Sequence, residues 1–248
     1  MKKIITSLSL TLLMLVYTST ANSQVLISLL LGDKLNTGKI EFGLDGGINW
    51  LNMSNTPNSK YLFNWNLGFY FDIKLKNDFF IHTGVIVKSK MGTSNLSPYP
   101  IGAADLDSAF VGGNVDRKIN YFNVPVLLRY RFVDYVHAEA GIMLGLRYTA
   151  FDIFNQEFDK NTLTYNNSIK DSLTRLDAGG MVGIGYKLQK VIGMTLSARY
   201  YFRFVDVNKV LDGSQKNSSI YLCASIPIGQ KKAEKERAEK AAEHQKTK

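Results

Sequence analysis

Cysteine and histidine are scarce in this sequence of 248 residues, which contains 1 Cys and 3 His. The single cysteine, Cys223, excludes a disulfide within the chain, and its place in an alternating segment predicts a small buried side chain. His82 and His137 each stand alone in the sequence. The spaced motifs of zinc proteases, serine hydrolases and phosphate-binding loops are missing. We therefore predict no catalytic residue, no cofactor and no metal site.

Long apolar runs are also missing after Ser23. This excludes a transmembrane helix from the mature chain, because such a helix needs about 20 apolar residues. The N-terminus has two lysines after Met1, an apolar run up to Tyr17 and small polar residues up to Ser23. This order is typical of a secretory signal peptide, so residues 1–23 are predicted to be removed on export. The alternative is an N-terminal membrane anchor, for which the apolar run is short.

The net charge of +9 is concentrated at the two ends of the chain. The predicted signal peptide contributes two lysines, and residues 231–248 hold seven Lys or Arg against four Glu. About +4 then remains on the part of the chain that is predicted to fold. Because the basic residues are not clustered on that part, a nucleic-acid partner is not predicted.

Alternation of apolar with polar or small residues is the main positive signal. From Phe63 to Ile73, every second side chain is large and apolar, while Asn64, Asn66 and Asp72 fall between them. A period of two places each set on one face of a β-strand. Lipid outside a barrel or a core inside a soluble sandwich would both explain such a face. The eight predicted strands are Lys39–Trp50, Leu62–Leu75, Phe79–Ser89, Lys118–Phe132, Tyr135–Ala150, Thr174–Lys187, Gly193–Val205 and Asn217–Ile228.

The connections between these strands alternate in length, which separates the two interpretations. Residues 76–78, 133–134 and 188–192 form short turns, whereas the longer loops are Lys90–Arg117, Phe151–Leu173 and Asp206–Lys216. Short turns at one end and long loops at the other are typical of bacterial outer-membrane barrels. We therefore predict an all-β fold, an eight-stranded antiparallel up-and-down transmembrane β-barrel over residues 39–229. Its turns and both termini are predicted to be periplasmic, and its longer loops extracellular.

The two segments that flank this barrel are less informative. Residues 24–38 form an N-terminal segment that is apolar without alternation, and it is open whether they add a pairing element, cap the barrel or extend the signal region. The tail, residues 230–248, combines Glu and Lys three and four apart with several Ala. This pattern favours a solvated helix or a disordered segment in the periplasm.

Charged residues collect on the inward face of the predicted strands. An eight-stranded barrel has room inside for little more than its own side chains, so inward charges must pair. A structural charge network is favoured over a path for substrate or ions. Its predicted members are Glu41, Asp45, Asp72, Arg129, Arg131, Glu139, Arg147, Arg175, Asp177, Arg199 and Arg203, with Lys88 on the same face.

The register of one hairpin follows from its tight turn. If the turn is centred on Asp134, Phe132 faces Val136 outward, and Arg129 faces Glu139 inward. Arg131 then faces His137, also inward, and Glu41 and Asp72 are candidates to neutralise this second arginine. The Arg129–Glu139 pair is predicted to be structural rather than a binding site.

Several stretches resemble a known family. They are Leu30–Asn36 with Ile40–Gly47, and Tyr121–Tyr130 followed by Ala138–Gly141. In these stretches the chain resembles the PorT-like outer-membrane β-barrel family of Bacteroidetes, also described as porin family. The resemblance implies an outer-membrane location, and some members take part in protein secretion. It implies as partners outer-membrane lipid, lipopolysaccharide, and secretion or surface-assembly proteins. A narrow porin-like barrel and a membrane-embedded lipid-modifying enzyme are the alternatives.

Overall fold

The computed structural model describes residues 35–159, 161–188, 193–204 and 215–229. The predicted signal peptide, most of the segment 24–38 and the tail 230–248 lie outside the described residues. Residues 43–227 form one compact unit, and the described residues 35–42 and 228–229 belong to another. In the second unit, Asn36 donates from Nδ2 to the Ile228 carbonyl at 2.5 Å and accepts from the Phe42 amide at 2.9 Å. One asparagine thus links its two described segments.

Nine strands and one short helix make up the described secondary structure, together with a 3-10 turn at Lys170–Ser172. The strands are β1 (Ile40–Met53), β2 (Leu62–Lys74), β3 (Phe79–Leu96), β4 (Asn114–Val133), β5 (Val136–Phe158), β6 (Asn161–Ser168), β7 (Leu176–Lys187), β8 (Thr195–Arg203) and β9 (Asn217–Pro227), and the helix is α1 (Ala104–Ala109). In the described residues no helix has the length and apolarity needed to cross a membrane.

Eight of these strands close into an antiparallel ring. The order β4-β3-β2-β1-β9-β8-β7-β5 is completed by the pairing of β4 with β5, and β1 pairs with β9 from Gly43 to Met53. Closure leaves no unpaired edge in the ring, which a sheet surrounded by lipid requires. The predicted eight-stranded antiparallel barrel is confirmed. We call the end with connections 75–78, 134–135 and 188–194 the turn end, and the opposite one the loop end.

The outer surface is apolar, as the alternation predicts, and the inner surface combines polar side chains with a cluster of buried apolar ones. Phe63 and Trp65 are 59% and 46% exposed, while Asn64 and Asn66 between them are buried. Aromatic pairs lie near both ends of the ring, in agreement with interfacial girdles. Phe79–Tyr130 and Tyr130–Phe132 lie at the turn end, and Trp50–Phe63 and Phe122–Tyr148 lie toward the loop end.

Three strands run further toward the loop end than predicted. β3 continues to Leu96, β4 begins at Asn114 and β5 continues to Phe158, so much of the predicted loops is strand. β6, inside the predicted loop Phe151–Leu173, pairs with the outer part of β5. Both faces of these extensions carry many polar residues, and therefore hydrophobic alternation does not reveal them. We call residues 93–96, 114–118 and 151–158 together with β6 the loop-end sheet.

Lys88 is exposed, so its predicted place inside the barrel is wrong. The pairing of β3 with both neighbours shifts between Ile86 and Ser89, which is a β-bulge. The extra residue reverses the alternation, because a strand has a side-chain period of two. Lys88 therefore points outward, with its Nζ 3.4 Å from the centre of the Trp65 ring, a cation–π contact.

Candidate functional site

A closed ring of hydrogen bonds crosses the barrel interior near the turn end. Arg129 donates from Nε and Nη2 to Glu139 Oε2 at 3.1 and 2.9 Å, and from Nη1 to Asp72 Oδ2 at 2.5 Å. Arg199 donates from Nε to Glu139 Oε1 at 2.5 Å and contacts His82 Nε2 through Nη2 at 3.0 Å. His82 Nδ1 completes the circuit to Asp72 Oδ1 at 2.6 Å. We call these five side chains the turn-end ring.

The hydrogen-bond pattern assigns the tautomer of His82. A guanidinium nitrogen can only donate, so His82 Nε2 accepts from Arg199 and Nδ1 carries the proton donated to Asp72. The imidazole is thus neutral in this arrangement. Asp45 extends the ring, accepting from Arg199 Nη1 at 2.9 Å and from Ser225 Oγ at 3.0 Å. Every one of these charged groups has partners, which burial of ions demands.

β7 is the one strand of the barrel that supplies no side chain to this network, and its glycines make room for it. Gly183 is paired with Glu139 on one side and with Arg199 on the other. A Cβ at Gly183 would lie 2.9 Å from Arg199 Cγ and 3.2 Å from Glu139 Oε1. At Gly185 a Cβ would lie 2.3 Å from His137 Cε1. Crowding inside the barrel therefore explains why these positions are glycine.

Five predicted members of the charge network meet as expected, and their structural role stays a prediction. These are Asp45, Asp72, Arg129, Glu139 and Arg199. Asp177 and Arg203 form a separate buried pair, with Arg203 Nε 2.7 Å from Asp177 Oδ1. Arg147 is buried but binds the carbonyls of Leu173 and Thr174. Glu41 lies half-buried near the start of β1.

Two predicted members lie away from the interior. Arg131 sits at the rim of the turn end and pairs with Asp78 at 2.7 Å, with side chains 38% and 49% exposed. Asp72, one of the two candidate partners of Arg131, binds Arg129 instead. Arg175 is exposed, because β7 begins only at Leu176 and the alternation does not extend to it. The predicted interior positions of Arg131 and Arg175 are thus wrong.

Sequence reasoning also missed several residues of the site. His82 stands alone in the sequence and joins the turn-end ring only because closure brings β3 opposite β8. Asp78 lies in a turn, and Arg117 and Asp152 lie in segments predicted to be loops. Arg117 and Asp152 carry opposite charges and lie where the paired strands β4 and β5 continue toward the loop end. This is the only feature of the sequence that could have indicated their contact.

Apolar side chains pack inside the barrel toward the loop end. Ile169 and Leu173 flank the 3-10 turn and pack with side chains from the barrel wall in one buried cluster. We call Ile169, Leu173, Leu51, Met53, Met91 and Ile119 the apolar plug. Leu51, Met91 and Ile119 have no exposed surface. The plug therefore fills part of the barrel interior toward the loop end.

The loop-end sheet has a polar anchor of its own. Arg117 binds Asp152 with two parallel hydrogen bonds, Nε to Oδ1 at 2.8 Å and Nη2 to Oδ2 at 2.7 Å. The Tyr99 hydroxyl donates to Asp152 Oδ2 at 2.7 Å and accepts from Asn167 Nδ2 at 3.2 Å. Burial, and then the Asp152 carboxylate, raise the pKa of Tyr99 to about 12. This anchor ties the connection that carries α1 to β4, β5 and β6.

Beside this anchor, the loop-end sheet has a small apolar core. Phe110, Val115 and Phe154 are buried together, and the Phe110 and Phe154 rings lie 5.6 Å apart. Leu106 of α1 and Tyr165 of β6 pack against them. The loop end is thus a packed structure with its own small core rather than a set of separate loops. Among the described residues, no group of three or more His, Cys, Asp and Glu is placed to hold a metal ion.

A family model and several solved structures match this chain. No curated protein sequence matches the chain. Of solved structures, Ail of Yersinia pestis is 14% identical, with 77% of this chain and 99% of Ail covered and a TM-score of 0.39. The neisserial surface protein NspA is 11% identical, with 76% of this chain and 97% of NspA covered and a TM-score of 0.38. OprG of Pseudomonas aeruginosa is 10% identical, with 76% of this chain and 93% of OprG covered and a TM-score of 0.32. A family model described as outer membrane protein beta-barrel domain matches residues 21–208, well over half of the chain. The chain belongs to this outer-membrane β-barrel family.

Proposed function

We propose that this outer-membrane β-barrel is not an enzyme, conducts no solute, and binds partner proteins at its loop end. The observation that carries the proposal is the filled interior. The turn-end ring spans the cross-section at one level, and the apolar plug occupies another, with Leu51, Met91 and Ile119 fully buried. An ion or solute would have to break a buried ion pair and pass between the buried apolar side chains of the plug, both of which are costly.

The loop-end sheet supports the partner-binding part of the proposal. β6 lies at the end of the strand order, so one of its edges has no neighbour among the described strands. Its eight residues, Asn161–Ser168, contain no charge, proline or glycine. Exposed edge strands usually carry such residues to prevent pairing with other chains. An edge without them suits the addition of an extended strand from a partner.

The proposed orientation places the loop end outside the cell and the turns and both termini in the periplasm. The outer apolar belt then contacts outer-membrane lipid and lipopolysaccharide. Secretion or surface assembly is the process in which we place the partner, on the PorT-like resemblance. The proposed orientation, lipid contacts and process are separate from the proposal that the interior is closed.

Conductance across a planar lipid bilayer tests the closed interior. We expect the purified full-length protein to give no steady channel openings. A stable open state would contradict the proposal and favour the narrow porin-like alternative. Hydrolysis or acyl transfer upon incubation with outer-membrane lipid would contradict it in favour of the lipid-modifying enzyme.

Site-specific photo-crosslinking tests the binding surface. Leu163 of β6 and Leu222 of β9 are 42% and 44% exposed, so they form a matched pair of positions. A photoreactive residue at position 163 should cross-link to a protein in cells, whereas one at position 222 should cross-link to lipid. Protein adducts that are equally abundant at both positions would argue against a dedicated surface at β6.

A further inference from the structure

Three lysines lie close together on the outer face of β3 and β4. Ser89, between Lys88 and Lys90 on β3, is buried inside the barrel, so both lysines face outward. Lys118 of β4 pairs with Gly92, which lies two residues beyond Lys90 on the same face. Lys90 interacts electrostatically with both of the other lysines. We call Lys88, Lys90 and Lys118 the lysine cluster.

The charge of the lysine cluster is not neutralised by the part of the chain that the structure describes. No ion pair among the described residues includes any of its three lysines. Asp116 lies on the same face of β4, two residues before Lys118, and accepts from Ser94 Oγ at 2.5 Å and from the Asn95 amide at 3.3 Å. Three lysines against one aspartate leave a positive surface, and like charges on neighbouring strands repel each other. An anion bound there would relieve this repulsion.

Aromatic rings indicate the depth of the lysine cluster in the membrane. Lys88 Nζ lies 3.4 Å from the centre of the Trp65 ring, and the Phe122 and Tyr148 rings, 4.7 Å apart, lie beside the cluster on β4 and β5. Trp and Tyr are enriched at the level of the lipid headgroups. Toward the turn end the outward side chains are apolar, as is Val126 with 40% exposure. An outward lysine is costly at the membrane centre and is tolerated near the interface, so the cluster lies at the headgroup level.

Two neutral polar side chains adjoin the lysine cluster. Asn120 pairs with Lys90 across β3 and β4, and its Nδ2 donates to Thr149 Oγ1 at 2.6 Å. A side-chain amide has two hydrogens, and the Thr149 hydroxyl keeps its own, so both groups can donate to an oxyanion placed between the lysines. The surface thus combines charged and neutral donors beside an apolar wall.

We propose that the lysine cluster binds a phosphate group of lipopolysaccharide, whose acyl chains then lie along the apolar wall toward the turn end. A phosphate monoester carries about −1.5 to −2 charge at neutral pH, which matches three lysines against one aspartate. A phosphodiester headgroup carries a single negative charge and leaves part of the excess in place. Lysine binds phosphate as a point charge. The choice of this lipid rests on the proposed orientation, because lipopolysaccharide lies in the outer leaflet of the outer membrane.

Titration of the full-length protein with lipopolysaccharide in neutral detergent tests the residues. The double variant Lys90→Gln/Lys118→Gln should bind about 25-fold more weakly than wild type, since each lysine near an anionic lipid surface contributes about fivefold. The matched control is Lys74→Gln/Lys76→Gln, which removes the same charge from exposed lysines at the turn end and should bind like wild type. Equal affinity of wild type and Lys90→Gln/Lys118→Gln would overturn the site.

Changing the lipid tests the chemistry on the wild-type protein and needs no variant to fold. Lipopolysaccharide treated with a phosphatase should bind as weakly as the untreated lipid binds Lys90→Gln/Lys118→Gln. Inorganic phosphate, which lacks acyl chains, and phosphatidylglycerol, a phosphodiester, should displace lipopolysaccharide only in large excess. Unchanged binding after phosphatase treatment, or displacement by either competitor at equal concentration, would overturn the proposal. Binding in detergent depends neither on orientation nor on conductance, so failure of this site and failure of the proposed function are distinguishable.

Discussion

Arg199 and Glu139 are hydrogen-bonded at 2.5 Å inside the barrel, although they lie on β8 and β5, which are not neighbours in the sheet. Gly183 of β7 lies between them and is paired with both. The absent side chain allows two charged groups to reach each other across a whole strand. The Arg199–Glu139 ion pair therefore depends on the glycine of the strand that lies between them.

Removing the shared carboxylate should be strongly destabilising. In Glu139→Gln, Arg129 and Arg199 both lose an ionic partner in the buried interior, which costs about 3–5 kcal/mol. The measurement is urea unfolding of the barrel in detergent, followed by the gel shift between folded and unfolded forms. The control is Asp78→Asn, which breaks the exposed pair with Arg131 and should cost about 0–1 kcal/mol. Equal stability of Glu139→Gln and wild type would contradict a structural role of the ring.

Filling the gap at β7 should have a comparable effect for a different reason. In Gly183→Val, the new side chain collides with Arg199 Cγ and separates Arg199 from Glu139. We expect a clear drop in the unfolding midpoint on heating. Gly46→Ala is the control, since the closest atom to its Cβ would be a Leu67 methyl carbon at 3.3 Å, on a side chain that can move. If both variants had the same unfolding midpoint as wild type, the interior would be packed less tightly than described.

Alkaline pH should release the loop-end anchor. The pKa of Tyr99 is raised from 10.0 to about 12, so the folded state holds this proton more tightly than the unfolded state. The contribution of Tyr99 is therefore complete below pH 10 and is lost as the pH rises toward 12. The difference in tyrosinate absorbance between wild type and Tyr99→Phe should titrate near pH 12. A difference that titrates near pH 10 would mean that Tyr99 is free in solution.

Cysteine labelling can determine the orientation of the barrel. Cys223 is 4% exposed, so the wild-type background with a membrane-impermeant maleimide should be low. In intact cells, Val111→Cys at the loop end should react, since Val111 is 73% exposed. Asp134→Cys at the turn end should react only after the outer membrane is permeabilised. The reverse pattern would invert the proposed topology.

The β4–β5 hairpin shows how far the sequence leads. Alternation and a turn near Asp134 correctly predict that Arg129 faces Glu139, because register follows from the turn when one face is apolar. The predicted Phe132–Val136 pair is wrong, since the register shifts between Arg131 and Val133, and Val136 pairs with Val133. Such single-residue shifts leave the composition of a strand unchanged, so hydrophobicity does not signal them.

Contacts across the barrel were beyond prediction for another reason. His82 meets Arg199 because the ring closes with a particular stagger, and hairpin registers alone do not determine which residues then share a level. β6 is not predicted because most of its residues are polar, so apolar and polar side chains do not alternate along it. The membrane-spanning part was therefore predictable in outline, while the loop-end sheet was not.

The turn-end ring needs a side chain from a strand that is synthesised late. Asp72, His82, Arg129 and Glu139 come from β2, β3, β4 and β5, which are synthesised first, whereas Arg199 comes from β8, the penultimate strand. Until β8 is in place, Glu139 lacks one arginine and His82 lacks its donor. The circuit is therefore complete only when the C-terminal strands have joined the N-terminal ones. A barrel that inserts without its last strands would carry unpaired ions into the membrane, and the ring thereby penalises incomplete assembly.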